Sequence, residues 1–269
     1  MICSFDRESY VSVEEIVLSP RKYVDAFLSG GIVVFKEINA SVEGQQKILQ
    51  AFGDKIGWYP NSQNSLIKHS YTESHEASIK RMEKDAEQKD EVLLSWHIER
   101  AGSKNPQVGS AWNMQRFRCE HGSGSTLFYD CSKLFNELDK DDQEFLLDCK
   151  ITGPTEDGLR LSDFIRNAIG VHPYTKQLVV RICPATMEFQ KLALFRNNEP
   201  TPEQSKRFEE LANNVAEKIR KSEDKWMKWD WSEGDLLIPD LFKMAHCVMG
   251  GFKQGERIFT GQWCYSKLP

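Results

Sequence analysis

Trp231-Ser232-Glu233-Gly234-Asp235-Leu236-Leu237-Ile238-Pro239-Asp240, then Ala245-His246 and, further on, Arg257-Ile258-Phe259-Thr260-Gly261-Gln262-Trp263, is the stretch on which the reading of this chain turns. Gly234-Asp235 predicts a tight turn. Leu236-Leu237-Ile238 predicts an apolar strand, and Arg257 to Trp263 a second, closing strand. A guanidinium set among Ile258 and Phe259 is the unusual feature. A cation pointing into a β-core needs an anion to offset its desolvation, and a carboxylate matches its fork best. Glu256 is adjacent in sequence and alternation turns it the other way, so the expected partner is not an obvious neighbour.

Working outward, Trp96-His97-Ile98-Glu99 sets an imidazole and a carboxylate at i and i+2. From one strand end both reach the same face, while Ile98 packs on the other. Alone, such a pair is common by chance, and a half-buried histidine beside a surface glutamate explains it. A lone His246 is likewise explained as a hydrogen-bonded core histidine. Together, two imidazoles and one carboxylate with one face of the metal left open form the ligand set of non-haem Fe(II) oxygenases. A fold that joins these positions makes the chain a redox enzyme.

The chain has 269 residues, 40% hydrophobic and 11% aromatic, enough for a substantial core. Single all-β barrels of this size are ordinary. Its net charge of −5 argues against a nucleic-acid surface, which carries a basic patch. Met1-Ile2-Cys3-Ser4-Phe5-Asp6-Arg7 lacks the basic start and apolar run of a secretory signal, and no apolar run is long enough to span a membrane. Seven scattered cysteines (Cys3, Cys119, Cys131, Cys149, Cys183, Cys247, Cys264) form no Cys-x-x-Cys. They read as buried, reduced thiols in a cytoplasmic protein.

Along the chain, Ser19-Pro20 is expected to start a helix with Tyr23, Phe27 and Leu28 on one face, ended by Gly30-Gly31. Ile32 to Phe35 reads as a strand, and Ser41 to Phe52 as a second helix with Gly53 as its stop. Further strands are expected at Gly109–Phe117, Thr126–Tyr129 and Leu178–Ile182, with short helices around Leu134-Phe135 and Phe145-Leu146-Leu147. Thr201-Pro202-Glu203-Gln204 carries a capping-box signature, followed by Phe208, Leu211, Val215 and Ile219 on one face. The simplest organisation is one domain over 1–269. The polar stretch 61–91, strongly charged over Lys80 to Glu91, is then a solvated loop, an exposed helix or a lid, and 201–226 a helical insert.

Taken together, these residues resemble the taurine dioxygenase-like family of Fe(II)/2-oxoglutarate oxygenases over nearly the whole chain. Ala26 to Phe35 and the helix ending Ala51-Phe52-Gly53 look like its N-terminal section, and Trp96 to Glu99 like its first metal motif. Gly122-Ser123-Gly124-Ser125-Thr126-Leu127-Phe128 is similar to its Gly-Gly-x-Thr-Leu-Phe element. Val171-His172-Pro173-Tyr174-Thr175 resembles its His-Pro segment, and Trp231 through His246 to Arg257 its closing motif. The resemblance implies a mainly β double-stranded β-helix (a cupin-like jelly roll) with flanking helices.

It further implies Fe(II) held by His97, Glu99 and His246, and 2-oxoglutarate whose distal carboxylate meets Arg257 with Thr126 assisting. O2 would be consumed and succinate and CO2 released as a small-molecule C–H bond is oxidised. Two departures matter. The family usually has Asp where this chain has Glu99, although members similar to clavaminate synthase also use Glu, which tilts the substrate toward amino-acid-like molecules or natural-product intermediates. Members acting on a sulfonate carry a second arginine where this chain has Gly261, so taurine is not expected as substrate. Because Glu99 retains a carboxylate where halogenases have a small residue, hydroxylation is expected over halogenation.

A non-catalytic small-molecule-binding protein on the same scaffold is the main alternative. A zinc hydrolase with these ligands lacks an evident base and leaves Arg257 unexplained. Neither the substrate nor homo-oligomerisation is set by the sequence. His172 reads as a structural or supporting residue, Arg181 as a partner for a carboxylate of the substrate or of the chain itself, Trp96 as pocket wall or packing, and Trp226, Trp229 and Trp231 as packing for the closing strand or a substrate platform. His69, His75 and His121 read as surface or hydrogen-bonded histidines.

Overall fold

The computed structural model describes residues 1–5, 11–60, 67–69, 92–99, 107–154, 161–182, 191–253 and 255–266. Strand β1 (Ile2–Phe5) is followed by helices α1 (Val13–Leu18) and α2 (Arg21–Gly30), strand β2 (Ile32–Phe35) and helix α3 (Val42–Ile56). Next come β3 (Trp58–Pro60), β4 (Ile67–His69), β5 (Val92–His97), β6 (Gln107–Phe117) and β7 (Thr126–Asp130). Helices α4 (Cys131–Asn136) and α5 (Lys140–Asp148) lead to β8 (Cys149–Pro154), β9 (Leu161–Asn167), β10 (Ile169–Val171), β11 (Leu178–Val180) and β12 (Lys191–Phe195). Helix α6 (Pro202–Lys221) precedes the closing strands β13 (Met227–Trp229), β14 (Leu236–Pro239), β15 (Met244–Met249) and β16 (Arg257–Ser266).

A seven-stranded sheet has the order β1-β2-β14-β6-β16-β3, with β4 also on β16, and a four-stranded sheet has the order β13-β7-β15-β5. The two pack face to face. Trp112 of β6 stacks on Phe128 of β7 with ring centroids 6.0 Å apart. Ile32, Val34, Trp112, Met114 and Leu237 of the first sheet share a buried cluster with Phe128 and Met244 of the second. This is the double-stranded β-helix expected from the sequence. Alternation then assigns the faces. Thr126 and Phe128 of β7 face the sandwich interior, while Leu127 and Tyr129 join the core under the helices, with Phe208, Leu211, Val215 and Ile219 of α6.

Several elements are as the residues predict. Thr201 and Gln204 form the reciprocal capping box, and Leu236 to Pro239 is a fully buried strand. Others differ for identifiable reasons. Ser19 closes α1, its N–H bonded to Glu15, so it does not cap α2; Pro20 takes that cap position with no side-chain bond. Gly53 does not stop α3, which continues to Ile56 and ends at Gly57 with φ 72. A Cβ at Gly53 would stand 2.6 Å from the Trp58 carbonyl oxygen, so this glycine serves a close backbone approach. The strand from Leu178 ends at Val180.

The lid expected at 61–91 lies outside the described residues, β4 excepted, as do His75 and Cys183. Cys3, Cys119, Cys131, Cys149, Cys247 and Cys264 are free thiols. Among the described residues no helix is long and apolar enough to cross a membrane.

Candidate metal and co-substrate site

The three proposed ligands come together at one end of the four-stranded sheet. His246 lies on β15, between β7 and β5, and its register partners are Phe128 on β7 and His97 on β5. Residues paired across antiparallel strands project from the same face, and the two imidazole rings stand 4.1 Å apart, centroid to centroid. Strand β5 ends at His97 and the chain turns, burying Ile98 and presenting Glu99 from the turn. The i, i+2 relation thus holds, with the second member just past the strand.

Glu99 Oε2 is 3.9 Å from His97 Nε2 and 3.9 Å from His246 Nε2, and one ligand atom from each residue falls within 4.8 Å of the others. These separations are too long for hydrogen bonds and suit three groups facing one ion. His246 is 5% exposed. The His97 and Glu99 side chains retain 24% and 25% exposure, which leaves the site open on their side. Trp112, 5.2 Å from the His246 ring, and Phe128, 6.2 Å away, form an apolar wall.

The second half of the site lies one step along the same inner face. Thr126 precedes Phe128 by two residues on β7 and pairs with Val248, two beyond His246 on β15. Two strand residues advance about 7 Å. Arg257 opens β16, in the facing sheet, and is 2% exposed. Its Nε donates to the Gly124 carbonyl at 2.9 Å and its Nη2 to Thr126 Oγ1 at 3.1 Å. The guanidinium lies 4.9 Å over the Phe259 ring.

The glycine-rich turn before β7 has a steric reason to be glycine-rich. Gly124 has φ 65, and a Cβ there would meet Cys119 Sγ at 3.1 Å and Arg257 Cδ at 3.4 Å. Cys119 lies beside Arg257. Burial outweighs the cation and pushes the thiol up to about 11.

The weaker sequence candidates resolve mostly into support. His172 Nε2 meets Asp240 Oδ2 at 2.8 Å, both side chains 1% exposed, and His172 Nδ1 accepts from the backbone N–H of Tyr174 and Thr175. Arg181 donates to the Phe242 carbonyl at 2.8 Å and stacks on the Phe242 ring. Both contacts hold the connection from β14 to β15 that delivers His246. Trp96 is buried against Trp226, on the face opposite His97.

Asp235 is buried. Its carboxylate accepts from the backbone N–H of Glu37 and Ser232 and from Trp229 Nε1, and burial raises its pKa. It thereby pins the turn that launches β14. His121 is exposed. Sequence reasoning missed Asp240 as the partner of His172. It also missed the bond from Trp231 Nε1 to Thr126 Oγ1 at 2.9 Å. The aromatic periodicity of Trp229 and Trp231 was the available signal, and it carries no direction.

The family model for "Taurine catabolism dioxygenase TauD, TfdA family" matches residues 14–263. The chain belongs to that family, whose members use Fe(II), 2-oxoglutarate and O2, and it is a 2-oxoglutarate-dependent dioxygenase. The fold is similar to that of a taurine dioxygenase from Burkholderia xenovorans, at TM-score 0.67 and 16% identity, covering 96% of this chain and 86% of that one. It is also similar to AAD-2 in complex with Mn(II) and N-oxalylglycine, at TM-score 0.64 and 13% identity, covering 93% and 88%. No curated protein matches the sequence.

Proposed function

We propose that His97, Glu99 and His246 hold the Fe(II), that Arg257 and Thr126 receive the distal carboxylate of 2-oxoglutarate, and that the chain hydroxylates an unactivated C–H bond of a small molecule. The observation that carries this reading is the placement of a buried, hydrogen-bonded Arg257–Thr126 pair on the same inner face as the three-ligand group, one strand step away. A dicarboxylate spans that step with one end at each group.

When bound, the metal and co-substrate supply the oxidising chemistry. The chain supplies position and shelter. His246 is fixed by β7 and β5 on either side. Arg257 is held by Gly124 and Thr126, so a carboxylate meets a cation whose desolvation is already compensated by fixed dipoles. Trp112, Phe128 and Phe259 exclude water from the inner face.

Glu99 keeps a carboxylate at the metal, which favours hydroxylation over halide transfer. Gly261, cross-strand from Trp112, offers no cation, so a sulfonate substrate is disfavoured. An amino-acid-like molecule or natural-product intermediate fits the reading better. Scattered free thiols fit a cytoplasmic enzyme.

The test is succinate formation from 2-oxoglutarate by Fe(II)-loaded protein, read by NMR across a metabolite panel. Turnover that falls by more than about a hundredfold in both His97→Ala and His246→Ala is expected. Unchanged turnover in either variant removes that ligand. A protein that binds 2-oxoglutarate without a visible charge-transfer band under anaerobic iron is a binder and not an oxygenase.

A further inference from the structure

Trp231 Nε1 and Arg257 Nη2 both donate to the single oxygen of Thr126, at 2.9 and 3.1 Å. An indole N–H and a guanidinium N–H can only donate, and a hydroxyl offers two lone pairs and one proton. With both lone pairs taken, the Thr126 proton has one direction left, away from its two donors. Thr126 is 1% exposed, and among the described residues its hydroxyl donates to no acceptor. A buried, unused donor of fixed orientation is costly unless an acceptor arrives.

We propose that Trp231 is a positioning residue for the co-substrate. Its N–H takes the second lone pair of Thr126 and so locks the hydroxyl proton toward the distal carboxylate of 2-oxoglutarate. This rests on the proposed placement of that carboxylate at Arg257 and Thr126.

The surroundings are built to hold the indole. Trp231 is 4% exposed and lies nearly parallel to Phe259, 15° between planes with centroids 6.5 Å apart. Arg257 Cζ stands 5.9 Å from its ring. The residue sits just ahead of the Asp235-pinned turn, so its orientation is fixed by backbone as well as by packing. Without the Trp231 donor the Thr126 rotor regains a second orientation, and its proton can turn into the direction that the indole N–H had occupied. The carboxylate then meets a hydroxyl that must be reoriented on binding, and preorganisation is lost. Arg257 is retained, so binding weakens without being abolished.

The experiment is calorimetric titration of Mn(II)-loaded wild type and Trp231→Phe with 2-oxoglutarate, N-oxalylglycine and pyruvate, which keeps the 2-oxo acid end and lacks the distal carboxylate. Trp231→Phe is expected to weaken both dicarboxylates roughly tenfold, about 1.4 kcal/mol, and to leave pyruvate and Mn(II) affinity unchanged. Equal weakening of all three ligands indicates a structural role and overturns the proposal, as does unchanged dicarboxylate affinity. Should Trp231→Phe fail to fold, benzothienylalanine at 231 deletes the N–H while keeping the bicyclic shape, and the same comparison decides. Wild type that binds neither dicarboxylate refutes the site assignment itself. Wild type that binds them with no effect of the variant refutes only the role of Trp231.

Discussion

His172 and Asp240 meet at 2.8 Å with both side chains 1% exposed, whereas His97 and Glu99 stand 3.9 Å apart with 24% and 25% exposed. Both are histidine–carboxylate pairs on one scaffold, and their chemistry is opposite. At the buried pair every polar atom is satisfied. His172 Nδ1 accepts two backbone N–H groups, so the ring proton sits on Nε2 and points at Asp240, whose other oxygen accepts from Phe242. At the open pair the imidazole and carboxylate share a gap with a second imidazole, His246, and do not bond to one another. A histidine that has found its acid acts as a strut, and one held 3.9 Å from its acid beside a second imidazole has the spacing of the proposed metal site.

The largest expected effects come from exchanging the fates of the two histidines. His172→Ala leaves a buried carboxylate without its donor, and breaking such a pair costs about 3–5 kcal/mol. Urea unfolding should show that loss in the apo protein, while the metal affinity of the fraction that folds falls little. His97→Ala is expected to do the reverse. A partly exposed truncation changes apo stability by no more than roughly 0.5 kcal/mol, while metal binding and turnover collapse. Equal destabilisation by the two variants would erase the distinction between strut and ligand.

A subtler break replaces each acid by its amide. Asp240→Asn keeps the shape and one carbonyl oxygen, and forces its NH2 toward one of two donors, His172 Nε2 or the Phe242 N–H. The expected cost is about 1–3 kcal/mol of stability, that of one unsatisfied buried group, with iron affinity preserved. Glu99→Gln, in the open pair, should leave the unfolding midpoint in place and weaken Fe(II) binding by roughly ten- to a hundredfold, judged against losses seen even for groups that only support metal ligands. Iron titration followed by denaturation of the same samples reads both numbers.

The comparison also shows what the sequence could and could not carry. Strands such as Thr126–Tyr129, Leu236–Ile238 and Arg257–Trp263 were legible because their apolar patterns are written directly in residue order, whereas β15, which carries His246, was not read as a strand. The capping box at Thr201 was legible for the same reason, being local. His97, Glu99 and His246 stood out as a candidate ligand set only together, since neither imidazole differs in sequence from a core histidine. Register alone makes His246 the neighbour of His97, and register is a long-range property. The partner of His172 is equally remote. Asp240 sits in the closing motif with nothing local to mark it, so His172 could be read as support without its acid being found. Gly53 shows the limit on punctuation. A glycine at the end of an apolar face looks like a helix stop until the Trp58 carbonyl is known to lie against it.

Glu99→Asp is the smallest expected effect and the sharpest probe of how the open pair is built. Glu99 stands in the turn after β5, so its backbone is not held by the ladder that fixes His97. Shortening it by one methylene withdraws the carboxylate from the point that is 3.9 Å from each imidazole nitrogen. A strand residue could not follow, and a turn residue can. Fe(II) affinity should therefore fall by less than about tenfold, milder than the loss for Glu99→Gln, which keeps length and removes charge, given that ligand charge governs affinity for hard and borderline cations. The unfolding midpoint should not move. If Asp costs more than Gln, reach matters more than charge and the turn is rigid. If neither variant alters iron binding, Glu99 is a bystander and the open pair is no pair at all.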